Sequence, residues 1–174
     1  MKLSWSHAVL NVKDEDKILD FYTGILGFTV SDRGQLAENA PDIIFMSQDP
    51  EEHHQLAVLV KREDEGPSNS LNHMAFRVES FDDVKTLNSK LTSAGVDILP
   101  ISHGNTLSLY FSDPEGNGLE VFWDTPWHVS QPSGIVWDPS LDQEQALAWV
   151  EETFGNRPSF RKREDADGDF VNRR

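Results

Sequence analysis

Residues 4–12 form an apolar-rich run that predicts a β-strand, and the apolar period then changes. Ile18, Phe21, Tyr22, Ile25 and Leu26 recur at helical spacing behind Asp14 and Asp16, either of which can cap the helix, and Gly27 is a natural stop. Three more strands are predicted at 28–32, 42–47 and 54–61, separated by Gly34, by Pro41 and by the Asp49-Pro50 turn. From 62 to 70 the chain turns to charge, Gly, Pro, Ser and Asn, the composition of a solvated connection. The pattern then starts again. Residues 71–78 predict a strand, and Ser80 with Asp83 forms an acidic capping box for a helix carrying Val84, Leu87 and Leu91 on one face. Gly95 ends that helix, and strands follow at 97–102, 105–111 and 118–123.

The order βαβββ therefore occurs twice, and the letters repeat with it. Ser6-His7 answers Asn72-His73, Leu26-Gly27 answers Ala94-Gly95, and Asp49-Pro50-Glu51 answers Asp113-Pro114-Glu115. A length of 174 residues suits one core shared by two pseudo-equivalent halves. The expected organisation is a domain over 1–127, with modules at 4–62 and 70–127, and an extension over 128–174. Within the extension, Ser140-Leu141-Asp142-Gln143 predicts a capping box ahead of a helix reaching Phe154. Residues 161–169 are too polar to bury and are expected to be disordered.

Charge narrows the partners. Asp and Glu number 30 against 15 Lys and Arg, a net −15 that repels phosphate backbones and anionic headgroups, so neither nucleic acid nor membrane is expected as a partner. The first residues hold no apolar run of signal-peptide length and no stretch is long enough to span a bilayer, which leads to the expectation of a soluble, cytoplasmic chain. Without cysteine, His and carboxylates are the remaining strong metal ligands.

Strand parity then sorts the polar residues. In the first strand His7 shares a side with Val9 and Asn11, while Ala8, Leu10 and Val12 point the other way. In the repeat, His73 and Arg77 lie opposite Met74, Phe76 and Val78, and Glu120 lies opposite Leu119 and Val121. A sheet with helices on its apolar face would carry His7, His73 and Glu120 on the other. Two imidazoles and a carboxylate form the facial triad of non-haem Fe(II) oxygenases, whereas two half-buried histidines satisfied by backbone carbonyls fit the same parity.

The stretch 101–120 carries His103, the Leu109-Tyr110 pair, the Asp113-Pro114 turn with Gly116, and Glu120. It resembles the signature of type I extradiol ring-cleavage dioxygenases, members of the vicinal-oxygen-chelate superfamily; the turn and Glu120 recur across that superfamily, and His103 with Tyr110 makes the match specific. The resemblance runs from 4 to 127 and implies an α+β fold in which two βαβββ modules form one vicinal-oxygen-chelate domain with a half-open barrel-like sheet, plus a C-terminal helix. By position it implies His7, His73 and Glu120 as ligands of Fe(II), or of Mn(II), with no other cofactor. Leu56-Ala57 stands where the second module has Leu119-Glu120, so the fourth carboxylate ligand of glyoxalase I is missing. His54, in His54-Gln55-Leu56-Ala57, matches the family's acid–base histidine; His53 faces away by parity and is expected at the surface, and His128 is structural or superficial.

The activity implied is meta cleavage of a catechol-type substrate by O₂. In it His54 receives and returns a substrate proton, Tyr110 hydrogen-bonds a substrate oxygen or the developing oxyanion, and His103 acts beside it. Two other readings share the scaffold: an isomerase, epimerase or thiol transferase using another divalent metal, and a metal-free ligand-binding module. Trp5, Phe45, Trp123 and Trp127 could line or flank a pocket. An open sheet edge or the segment 137–154 offers a surface for self-association, so a homo-oligomer is expected.

Overall fold

Asp14 caps the first helix through a hydrogen bond from the Lys17 amide, and the repeat follows from there much as the periodicity dictates. The structure is a computed structural model and describes residues 6–35, 38–63 and 71–166. Trp5, most of the polar connection and residues 167–169 lie outside the described residues. The chain divides into two units, Met1–Ser70 with Asp113–Asn117, and Leu71–Ser112 with Gly118–Arg174.

The first unit runs β1 (Ala8–Val12), α1 (Glu15–Leu19) continued by a π-helical stretch over Asp20–Ile25, β2 (Thr29–Gln35), β3 (Asp42–Ser47) and β4 (Leu56–Val60). Its open sheet has the order β1-β4-β3-β2, with β1 and β4 parallel and the other pairs antiparallel. Leu10 and Val12 are buried while Val9 and Asn11 are exposed, the alternation expected. Ile18, Phe21 and Tyr22 from the helix are buried too, and Ile43, Ala57, Leu59 and Phe45 form a second apolar cluster.

The second unit repeats the topology with β5 (Met74–Arg77), α2 (Phe81–Ser93), β6 (Leu99–Ser102), β7 (Thr106–Ser112) and β8 (Gly118–Asp124). A further strand, β10 (Ile135–Val136), joins the edge, giving β10-β6-β7-β8-β5 with β5 and β8 parallel. The Ser80–Asp83 capping box is complete, and α2 buries Phe81, Val84, Leu87 and Leu91. A cap contributes about 1 kcal/mol, whereas each buried side chain of that size contributes about 2, so tertiary packing rather than capping holds the helix.

The strictest echo of the repeat is in its turns. Asp49 accepts the Glu51 amide at 2.9 Å and Asp113 accepts the Glu115 amide at 2.9 Å. Gly27 and Gly95 end their helices at φ +80° and +69°. Within the first unit the Glu115 carboxylate also accepts the Lys13 and Asp14 amides at 2.6 and 2.8 Å and faces the guanidinium of Arg62 at 3.6 Å, both side chains being less than 10% exposed.

Two expectations are corrected in the extension. The helix α3 (Gln143–Phe154) is capped not from Ser140 but from Asp142, whose carboxylate accepts the Gln145 amide at 2.8 Å while Gln145 returns a bond to the Asp142 amide. Asp138 takes the Ser140 amide instead, which leaves Ser140 in the turn before the helix. Arg161–Lys162, expected to be disordered, form β11 and pair with β9 (Trp127–His128), and Ala166 beyond them is buried. Charge did not prevent this because Arg163 reaches Asp124 at 2.7 Å and its amide bonds the Pro126 carbonyl. Among the described residues no helix is long and apolar enough to cross a membrane.

Glu115→Ala should lower stability by about 3 kcal/mol, because it removes a buried carboxylate that accepts two amides and faces the Arg62 guanidinium. The drop in the urea midpoint at unchanged slope measures it.

Candidate functional site

Strand β8 lies between β7 and β5, and its register decides what surrounds Glu120. Tyr110 is its cross-strand partner on one side and Ala75 on the other, so Tyr110, Ala75 and Glu120 share a face. Leu119 and Val121 turn to the opposite face with Leu109 and Phe111 and are buried. Glu120 is itself only 7% exposed. A carboxylate there needs partners, since burying a charge without compensation costs several kcal/mol.

Three side chains supply them. His73, one residue before β5, sets its Nε2 3.2 Å from Glu120 Oε2. His103, in the loop between β6 and β7, lies with Nε2 3.8 Å from Glu120 Oε1 and 2.9 Å from the Tyr110 hydroxyl. Burial above all, then the neighbouring Glu120 carboxylate, pushes the Tyr110 phenol well above its ordinary range, so it stays a proton donor at neutral pH. The other ring nitrogen of His73 is 2.7 Å from Asn72 Oδ1. With that amide oxygen accepting, the Nδ1 carries the hydrogen and Nε2 of a neutral ring is a bare lone pair aimed at a carboxylate. Two acceptors facing each other at 3.2 Å repel unless a proton or a cation lies between them. Donors about 2.1 Å from one ion at a near-right angle stand about 3 Å apart, so this pair fits a divalent cation.

The first unit holds the remaining predicted residues. His7, one residue before β1, lies with its ring tilted against that of His54, centroids 4.3 Å apart, and takes a 3.0 Å contact from Ser6 Oγ. His54 and His53 precede β4 rather than lying in it, so strand parity does not govern them. His53 is exposed as expected but does not turn away: its Nδ1 is 2.9 Å from His54 Nδ1 and its Nε2 is 3.4 Å from Asp32 Oδ2. A register shift between Val30 and Asp32 in β2 accompanies this placement of Asp32. Burial first, then the charges of His7 and His53, hold His54 below the ordinary imidazole range. Asp32 was missed from sequence because it follows a bulge, and His53 was turned the wrong way because a loop has no parity.

The repeat is asymmetric at the site. Ala57 pairs with Val9 and Phe45 in the first sheet as Glu120 pairs with Ala75 and Tyr110 in the second. The position of Leu56-Ala57 opposite Leu119-Glu120, read from the letters, is thus a matter of register. Phe45 lies against His54 at 4.9 Å, whereas Trp123 packs edge-on against Phe81 and Trp127 stacks on Phe160. His128 is buried, a structural position. Among the described residues no three His, Asp or Glu side chains form a cluster able to hold a metal ion.

Comparison with known proteins places the chain in one superfamily. Residues 4–121 match the sequence model described as Glyoxalase/Bleomycin resistance protein/Dioxygenase superfamily. The chain is 27% identical to biphenyl-2,3-diol 1,2-dioxygenase 2 of Rhodococcus globerulus, over 89% of its own length and 93% of that protein. It is 30% identical to biphenyl-2,3-diol 1,2-dioxygenase 3 of the same organism, over 89% of the chain and 76% of the relative. Against the catechol-2,3-dioxygenase of Bacillus subtilis it is 28% identical over 69% of the chain and spans 41% of that relative. In fold it is similar to a glyoxylase/bleomycin resistance protein/dioxygenase domain from Frankia sp. EAN1pec, with TM-score 0.62 at 23% identity over 72% of this chain and 94% of that one.

The Asn72–His73 backbone has one further constraint. A Cβ on Gly118 would come within 2.3 Å of the Asn72 carbonyl. Gly118→Ala should therefore displace His73 from Glu120 and lower stability by about 1–3 kcal/mol. Thermal denaturation and the His73 ring resonances test both effects.

Proposed function

The chain belongs to the Glyoxalase/Bleomycin resistance protein/Dioxygenase superfamily, and on that premise we propose that it is an extradiol dioxygenase, cleaving a catechol-type ring beside its two hydroxyls with O₂ at a non-haem Fe(II) centre. The observation that carries this reading is the grouping of His73, His103, Tyr110 and Glu120 on one unit, the last three being side chains of the stretch that resembles the family signature. The names of the matched relatives support the same class.

In this reading His73 and Glu120 hold the metal and His7 is the third ligand, the last assigned by its place at the start of the first module. Fe(II) supplies a Lewis-acid centre for two adjacent substrate oxygens and a redox partner for O₂. The residues of the chain then place protons. Asp32 can only accept, so the hydrogen of a neutral His53 sits on Nε2 and its Nδ1 accepts from His54 Nδ1–H. His54 is left with a bare Nε2, the group that takes a substrate hydroxyl proton and later returns it. Tyr110, held protonated by burial and Glu120, gives its proton to the His103 hydrogen bond in the free protein and turns it to a substrate oxygen, or to the negative charge developing there, once substrate is bound. His103 orients that hydroxyl. Phe45, beside His54, gives the ring of the substrate an apolar neighbour.

Anaerobic reconstitution with Fe(II), followed by a panel of catechols and O₂, tests the class. A coloured ring-fission product with one O₂ consumed per catechol is expected; bound iron that consumes no O₂ with any catechol would refute it. Glu120→Ala should bind no iron in equilibrium dialysis. His54→Ala should keep the iron and lose turnover at least about a hundredfold, the usual contribution of a general base; unchanged turnover removes His54 from the mechanism.

A further inference from the structure

His103 sits in a three-residue loop, where an imidazole with no further partner would exchange between its two neutral tautomers. The tautomer matters because Nε2 faces Tyr110. With the hydrogen on Nδ1, Nε2 accepts and the phenol proton of Tyr110 points at His103. With the hydrogen on Nε2, that nitrogen donates and the phenol must turn its proton elsewhere, the Glu120 carboxylate being the acceptor within reach.

What decides between them comes from outside the module. Pairing of Ile135 with Ser102 in β10 and β6 carries Ser133 alongside His103, and His103 Nδ1 is hydrogen-bonded to the Ser133 carbonyl. A carbonyl only accepts, so the hydrogen is on Nδ1. The carbonyl in turn is held from two directions. The Gln131 side chain donates from Nε2 to the His103 carbonyl at 2.9 Å and to Asn105 Oδ1 at 3.0 Å, and accepts the Ser133 amide at Oε1 at 2.9 Å. One amide thus grips the backbone at both ends of the His103–Ser133 contact. Arg157, in the turn after α3, donates from Nη1 to Ser133 Oγ at 2.6 Å, with its guanidinium 4.6 Å above the ring of Phe154. Phe154 is fully buried and, with Val129, fills the space where a Cβ on Gly104 would fall, next to His103.

We infer that Gln131, the Ser133 carbonyl and Arg157 are positioning residues for His103: the segment after the second module fixes the Nδ1–H tautomer and with it the direction of the hydrogen bond to Tyr110. The inference rests on the reading of His103 and Tyr110 as site groups, and its first test is independent of turnover.

The test uses the full chain, metal-free and labelled with ¹⁵N-histidine, with the His103 signals assigned by their loss in His103→Gln. In the parent protein at neutral pH, ¹⁵N shifts should show a protonated Nδ1 and a bare Nε2 at His103. Gln131→Ala and Arg157→Ala should each move these shifts toward the tautomer average, and Arg157→Lys, which can still donate to Ser133, should leave them in place. In the iron-loaded enzyme with a turned-over catechol, Gln131→Ala should lower kcat about tenfold with KM changed less than twofold. An Nε2–H tautomer in the parent overturns the inference, as do unmoved His103 shifts in both alanine variants. If one variant fails to fold, the other decides. If no catechol is turned over, the proposed function falls while the ¹⁵N readout still stands or falls on its own.

Discussion

The second unit is organised around one buried carboxylate on a central strand. Glu120 can be where it is only because β8 pairs in a register that sets Tyr110 beside it and because His73 and His103 arrive from loops at strand ends. Strand pairing fixes the Glu120–Tyr110 distance to within the play of two side chains, whereas the loop histidines are set by local bonds to Asn72 and Ser133. A slip of one residue in β8 would exchange Glu120 for Leu119 or Val121 and place an apolar side chain among polar groups. Fold and site therefore depend on the same hydrogen-bond ladder. The apolar face beneath, with Leu109, Phe111, Leu119 and Val121 against α2, holds that register in place.

Comparison of the two modules shows what duplication keeps and what it releases. The turns are retained to the hydrogen bond, Asp49 to Glu51 and Asp113 to Glu115, and so are the glycines that end the helices. The corresponding site positions have parted: Ala57 and Phe45 in the first sheet, Glu120 and Tyr110 in the second. Backbone geometry constrains the first group, since a turn or a positive φ admits few residue types. Side chains on the open face of a sheet face no such restriction. One module has specialised in an acid and a phenol, the other in an apolar wall with three imidazoles at its margin.

Much of this was legible in the sequence. Every strand of both modules was found by periodicity and turn chemistry, and the capping box at Ser80 was read to the residue. The second unit's site was legible because His103, Tyr110 and Glu120 belong to one contiguous pattern and His73 repeats His7 at the start of its module. Misreadings came where local rules compete or do not apply. Ser140 and Asp142 can both begin a capping box, and the stronger acceptor prevailed once Asp138 had taken the Ser140 amide. His53 and His54 lie in a loop, where parity has no meaning, and Asp32 reaches them beyond a bulge. The folding of Arg161 and Lys162 depends on pairing with His128 and Trp127 and on the Arg163–Asp124 ion pair beside them, partners more than thirty residues earlier that no local window contains.

The extension after the second module had only composition to speak for it, and its physical role shows in an imbalance of magnitudes. A hydrogen bond such as that from His103 to the Ser133 carbonyl contributes about 1 kcal/mol and cannot order a loop unaided. Ala146, Val150 and Phe154 of α3 are fully buried, and Trp137 is nearly so, with its indole nitrogen bonded to the Ser108 carbonyl. Val150, Phe154 and Trp137 contribute about 2 kcal/mol each when buried, together several times the energy of the bond they support. The weak and directional contact is thus carried by a strong and undirected one. Gly104 shows the coupling in a single residue: its φ of +83° and missing Cβ let the loop that bears His103 rest directly on Val129 and Phe154. The packing of the last helix and the orientation of an imidazole more than forty residues earlier are one structural fact.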